Sequence, residues 1–199
     1  MITVTTAATK FNLADLRVVR TALGISGKSQ DAALTAYLDR ASDVIARHCN
    51  RTFALEMVEQ QFRLDRVQEE LILSRYPVEE ITSIVENGIA LVETVDYELD
   101  YAKGIATRLC NDRKCLWPRF KIVVTYSAGY DLPTDAPEAL QQACIELTKS
   151  YVLSAGRDPM TRSEAIENVD SVSYFQLADD QHLPPAVQGL LKQFRNFKA

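Results

Sequence analysis

The stretch ITSIVENGIALV, residues 81–92, is two short runs of β-forming residues joined by Asn87-Gly88. Both central residues of a two-residue hairpin turn must accept positive φ, so this dipeptide between apolar runs predicts a β-hairpin. The same period of two governs the chain on either side. Met57, Glu59, Gln61 and Arg63 alternate with Val58, Gln60, Phe62 and Leu64, which suits a strand better than a helix. Leu71-Ile72-Leu73, Tyr97 to Asp100, Ile105 to Leu109 after a turn at Lys103-Gly104, and Lys121 to Tyr126 continue the pattern. Residues 53–130 are therefore expected to form a mostly antiparallel β module.

Helical spacing flanks it. Leu13, Leu16, Val19 and Leu23 recur every three to four residues, with Asn12 as the expected N-cap and Gly24 as the stop. Leu34, Tyr37, Leu38, Ala41, Val44, Ile45 and His48 then make one apolar face over four turns. After Tyr130, Asp135 is the expected N-cap of a third helix with Pro137 in its first turn; Leu140, Ala143, Leu147 and Tyr151 supply its stripe. The expected fold class is α+β, a small bundle of three main helices plus a short C-terminal helix with the antiparallel β module inserted into it. The corresponding divisions are residues 1–52 for the N-terminal helical part, 53–130 for the β module, 131–156 for the third helix, and 157–199 for an extended arm and C-terminal tail.

The arm carries two basic and six acidic residues between Arg157 and Pro185, with a short β-like stretch at Val169 to Phe175. The tail, Ala186 to Ala199, holds Lys192, Arg195 and Lys198 and no acid, whereas the whole chain has a net charge of −5. Val187, Leu190, Leu191 and Phe194 fall on one side of a short helix there, suited either to closing the core or to docking on a partner.

Chemistry-bearing constellations are missing from the sequence. There is no GxSxG, Walker-type loop, GxGxxG or HExxH, and Gly24 to Ser29 reads as a helix stop and linker. Adjacent carboxylates such as Glu69-Glu70, Glu79-Glu80 and Asp179-Asp180 point apart and read as solvated surface. His48 and Cys49 are neighbours on a helix and do not face one another, and His182 has no companion. Cys110 and Cys115 have no second pair of ligands downstream, so no metal is expected. All four cysteines are expected as reduced thiols, packed as small apolar groups or sitting in a loop. Trp117, in the loop from Cys110 to Phe120, is either an exposed contact or a lid over the β core, and the lid is the favoured reading. With 47% hydrophobic residues over 199 positions the chain can bury a sizeable core. No apolar run approaches membrane-spanning length, and MITVTTAATK lacks the features of a secretory signal, so a soluble protein of a cytosol is expected.

The order of LRVVRTAL (16–23), LTAYLDRASDVI (34–45) running into HCNRTF (48–53), LSRYPVEEITSIVENG (73–88), YELDYAKGI (97–105), KIVVTYSAGY (121–130) and PEALQQA (137–143) resembles that of tailed-phage head–tail connector (adaptor) proteins. The resemblance covers residues 12–155. It departs from the smaller, all-helical members in the β module and in Cys110 to Phe120. It implies a structural virion protein of a bacteriophage or prophage: a dodecameric ring bound beneath the portal protein, extending the DNA channel and presenting a surface to the next tail or stopper protein. It implies no catalytic residue, no cofactor, no membrane, and DNA that passes the lumen without specific binding. The expected location is the virion head–tail interface, reached from the host cytoplasm during assembly. The amphipathic tail suggests a portal contact at Leu190, Leu191, Phe194, Arg195 and Phe197. Alternatives are another virion ring component, such as a tail-completion or stopper protein, and a small monomeric ligand-binding protein or enzyme.

Overall fold

Ile2–Thr6 is a strand, β1, and its partner decides the architecture. All five of its residues are β-branched, stiff at χ1 and suited to a pleated surface. β1 runs antiparallel to β2 (Glu56–Arg63), with Ile2 opposite Gln60 and Val4 opposite Val58. The β structure therefore takes a strand from ahead of the first helix. The computed structural model describes residues 1–155, 163–166, 170–173 and 183–196. One unit comprises Met1–Lys10 and Thr52–Asp131, the other Phe11–Arg51 and Leu132–Ala199. The expected helical bundle with an inserted β module is thus corrected to a mixed α+β fold: the described residues hold four α-helices, and the β unit has two antiparallel sheets in place of one module.

The β unit holds β3 (Glu70–Ile72), β4 (Val78–Glu86), β5 (Ile89–Leu91), β6 (Tyr97–Asp100), β7 (Ile105–Cys110), β8 (Arg113–Cys115) and β9 (Lys121–Ala128). One sheet has five strands in the order β1-β2-β9-β4-β5; the other has β7 between β3 and β6, with β8 also on β7. The hairpin expected at Asn87-Gly88 joins β4 to β5, both turn residues having positive φ. Between the sheets lies a core of Val58, Ile84, Ile122, Val124 and Tyr126 from the first, and Leu71, Tyr97 and Ala106 from the second. Trp117 is fully buried in it, as a lid would be, and its indole N–H donates to the Ala106 carbonyl at 3.0 Å. The loop around it contains a hairpin that sequence spacing did not reveal: β7 turns through Asn111-Asp112, both at positive φ, into β8. That turn brings Cys110 and Cys115 to a Cα separation of 5.8 Å, and they form a disulfide. The expectation of four reduced thiols is corrected for this pair, while Cys49 and Cys144 are free and buried.

In the other unit, α1 (Leu16–Leu23) starts from Asp15, whose carboxylate accepts from the Arg17 N–H at 2.7 Å, and stops at Gly24 in the left-handed region. The cap is Asp15, not the expected Asn12; both are good capping residues, and only Asp15 stands next to the first helical turn. α2 (Asp31–His48) and α3 (Glu138–Ser154) pack on each other and on α1. Pro137 occupies the α3 N-cap, so the helix begins two residues later than an Asp135 cap would place it. α4 (Pro185–Leu191) and a 3₁₀ turn at Lys192–Phe194 follow, α4 packing on α3. β10 (Ser163–Ile166) pairs antiparallel with β11 (Asp170–Ser173). The rest of the arm, including His182, lies outside the described residues.

Candidate functional site

Two shallow depressions lie on the β unit. One is bordered by Thr94, Asp96, Arg108 and Asn111, the other by Glu70, Glu98, Asp100 and Lys103. Arg108 is already engaged: its guanidinium donates to Glu86 at 3.1 Å and to the Leu109 carbonyl at 2.8 Å, tying the second sheet to β4 of the first. In the second depression the Lys103 N–H donates to Asp100 at 3.1 Å and the Lys103 ammonium pairs with it, holding that carboxyl below its usual range. The Tyr101 hydroxyl donates to Glu93 at 2.7 Å, which pushes the phenol up. The Arg108–Glu86 pair is largely buried, the Lys103–Asp100 and Tyr101–Glu93 contacts belong to a solvated surface, and none of them sets a nucleophile against a base. Among the described residues no three His, Cys, Asp or Glu side chains gather as metal ligands, and no helix is long and apolar enough to cross a membrane.

The five residues suggested for a portal contact separate into three groups. Leu191 and Phe194 are buried in the core of their own unit, together with Leu183 and Val187. Leu190 is half-buried and Arg195 exposed. Phe197 lies outside the described residues. The segment is pinned where the Asn196 N–H donates to the Cys49 carbonyl at 2.8 Å, just past the end of α2. There, burial and the Arg195 charge hold His48 below the usual imidazole range, and burial pushes the Cys49 thiol up to about 11. Of the five, Leu190 and Arg195 are the ones that reach the surface among the described residues.

Sequence reading passed over a second surface, the outer edge of β1, which has no partner strand among the described residues. All five of its residues are exposed, and no charged side chain occurs before Lys10. The signal available was that uncharged run of β-branched residues.

The family model described as head completion protein (HCP) matches residues 12–197. No curated protein matches the chain. Among solved structures, the chain is similar to one in the neck of an empty gene transfer agent particle computed with C6 symmetry, at 16% identity and a TM-score of 0.59. It is similar at 17% identity to one in the neck of the native particle computed with C12 symmetry, with a TM-score of 0.60, and to one in the virion of the native particle, with a TM-score of 0.57. Each likeness covers 100% of this chain and 97% of the other. The family match across most of the sequence, on a mixed α+β fold, leads to one conclusion: the chain belongs to the head completion protein family and is a structural head–tail connector component of a virion.

Proposed function

We propose that the protein acts as a ring, of twelve copies in the virion, bound beneath the portal and joining the capsid to the next tail or stopper protein. The observation that carries this reading is the full-length likeness to chains of necks computed with C6 and C12 symmetry. The charge is consistent with it: a net −5 per copy, repeated around a ring, makes a lumen that repels DNA and lets it pass without specific binding. Its role is to extend the channel, with no catalysis and no cofactor, and assembly takes place in the host cytoplasm. Light scattering across a concentration series, with and without purified portal, tests it. A ring, or a monomer that assembles only on portal, is the expected result; a strict monomer indifferent to portal overturns the reading, and a ring that ignores portal but binds a tail component replaces it with a stopper or tail-completion role.

Within this reading the portal contact is the C-terminal segment, with Leu190 and Arg195 at the contact, Phe197 beyond them, and Leu191 and Phe194 holding the segment in place. Removing residues 183–199 would take four buried apolar side chains out of the core, so it is a poor test. The double substitution Leu190→Asp, Arg195→Glu is the better one. It is expected to abolish capture by portal with the melting temperature within a few degrees of wild type; undiminished capture overturns the assignment.

A further inference from the structure

Among the described residues nothing pairs with the outer edges of β1 and β5 in the five-stranded sheet, and the backbone and side-chain geometry of these edges match. At β1 the Met1 amine donates to the Gln61 carbonyl at 3.0 Å and the Gln61 N–H donates to Met1 at 2.8 Å, so Met1 and Gln61 form a hydrogen-bonded pair. Antiparallel ladders alternate, which makes Thr3 and Glu59 the next such pair and turns the N–H and C=O groups of Ile2 and Val4 outward. At the other edge, the two-residue turn Asn87-Gly88 closes on the hydrogen-bonded pair of Glu86 and Ile89, so Ala90 turns its N–H and C=O outward.

The faces agree as well. Ile2 and Val4 stand opposite the buried Gln60 and Val58, on the core side of the sheet, yet they are 39% and 41% exposed. Ile89 and Leu91 lie on the same core side, in register with Glu86 and Ile84, and Ile89 is 69% exposed. Each edge thus leaves apolar surface of the core face exposed, at Ile2 and Val4 on β1 and at Ile89 on β5, with Leu91 half-buried against the core. Neither residues 2–6 nor residues 89–92 contain a charge or a proline, the usual devices that stop an edge from pairing. Because every neighbouring pair in this five-stranded sheet is antiparallel, β1 and β5 run in the same direction.

We propose that β5 of one copy takes up β1 of the next copy in parallel, with Ala90 beside Thr3. In this pairing the Ala90 N–H donates to the Ile2 carbonyl of the next copy, and that copy's Val4 N–H donates to the Ala90 carbonyl. Ile2 then meets Ile89 and Val4 meets Leu91, so the apolar row continues across the boundary, while Thr3 and Ala90 share the outer face. Two different edges meet, which is the heterologous contact that a closed ring requires; a two-fold contact would instead join β1 to β1 and leave β5 open. The inference rests on the ring reading above and specifies its joint.

Thr3→Cys and Ala90→Cys, treated with a short bis-maleimide under the conditions in which the wild-type protein forms rings, test the pairing. The wild type is the background control, because Cys49 and Cys144 are buried and Cys110 and Cys115 are paired. The double variant is expected to give a ladder of multimers, a mixture of the two single variants to give dimers, and each single variant alone to give only monomer. Val4→Pro removes one outward N–H and leaves the β1–β2 ladder intact; it is expected to raise the concentration needed for ring formation at least tenfold without changing the fold. Rings that form while the double variant stays uncrosslinked, or Thr3→Cys that crosslinks by itself, overturn this joint and leave the ring reading standing. Rings formed by Val4→Pro at the wild-type concentration do the same. A wild-type protein that forms no ring, alone or on portal, overturns both.

Discussion

Gly129 is the residue on which the end of the five-stranded sheet turns. It follows β9 with φ at +122°, and a Cβ there would overlap the Ala54 carbonyl group, backbone atoms that cannot step aside. The close approach lets Leu55 N–H donate to the Tyr130 carbonyl at 2.9 Å and Tyr130 N–H to that of Phe53 at 2.8 Å. Gly129→Ala is expected to cost about 3 kcal/mol or more, through both steric overlap and strain. Gly88→Ala, where φ is +86° but nothing lies within 4 Å, is expected to cost only about 1 kcal/mol. Denaturant unfolding of the two variants separates the effects; equal losses would mean that the contact with Ala54 does not matter. Tyr126 makes a related case in the core. Its hydroxyl donates to Gln60 at 2.8 Å and accepts from the Arg75 N–H at 3.3 Å, while Ser74 N–H donates to the same Gln60 oxygen at 2.9 Å. Tyr126→Phe leaves Gln60 satisfied by Ser74 and strips a weak acceptor from Arg75, so a loss of about 1 kcal/mol is expected in the same measurement.

At the scale of elements, the parts written in local chemistry are the parts that sequence reading finds. The β4–β5 hairpin follows from a dipeptide, α2 from one apolar stripe, and the burial of Trp117 from the size of its ring. β1 was missed because its partner is β2, more than fifty positions away, with Ile2 opposite Gln60, and because all five of its residues are exposed, so no alternation marks it. The Cys110–Cys115 pairing was missed because a turn at Asn111-Asp112 creates it, and four intervening residues do not announce a hairpin. The C-terminal stripe was found but its use was open, since an amphipathic helix that closes its own core and one that docks elsewhere have the same spacing. Burial separates the two uses residue by residue. Leu191→Ala, in the core, is expected to destabilise by about 2–5 kcal/mol, and Leu190→Ala by less than about 1 kcal/mol. Thermal unfolding of the pair checks this; a Leu190 loss as large as that of Leu191 would show that both are core residues and would remove Leu190 from the portal surface.

At the scale of the whole molecule, the two units carry different groups that resist ionisation, and this orders their response to alkali. Burial pushes the thiols of Cys49 and Cys144, both in the helical unit, up from 9.0 to about 11. Burial likewise pushes the phenols of Tyr97 and Tyr126, both in the β unit, up from 10.0 to about 12. Each group keeps its proton longer when folded than when unfolded, so above the unfolded value the unfolded chain binds fewer protons and stability falls as pH rises. The contribution of the thiols is complete below pH 9 and lost towards 11; that of the phenols is complete below pH 10 and lost towards 12. A tenfold change in proton affinity is worth roughly 1.4 kcal/mol, so two such groups are enough to matter against the stability of a small domain. The helical unit is therefore expected to lose structure about one pH unit before the β unit. The helical circular-dichroism signal at low wavelength reports the first. Trp117, the chain's single tryptophan and buried in the β core, reports the second by its emission. Cys144→Ala should move the helical transition to higher pH relative to that variant's own stability at neutral pH and leave the Trp117 transition where it was. Coincident transitions in the wild type, or a Trp117 shift that precedes the helical loss, would mean that the buried thiols do not set the alkaline limit and that the two units unfold as one.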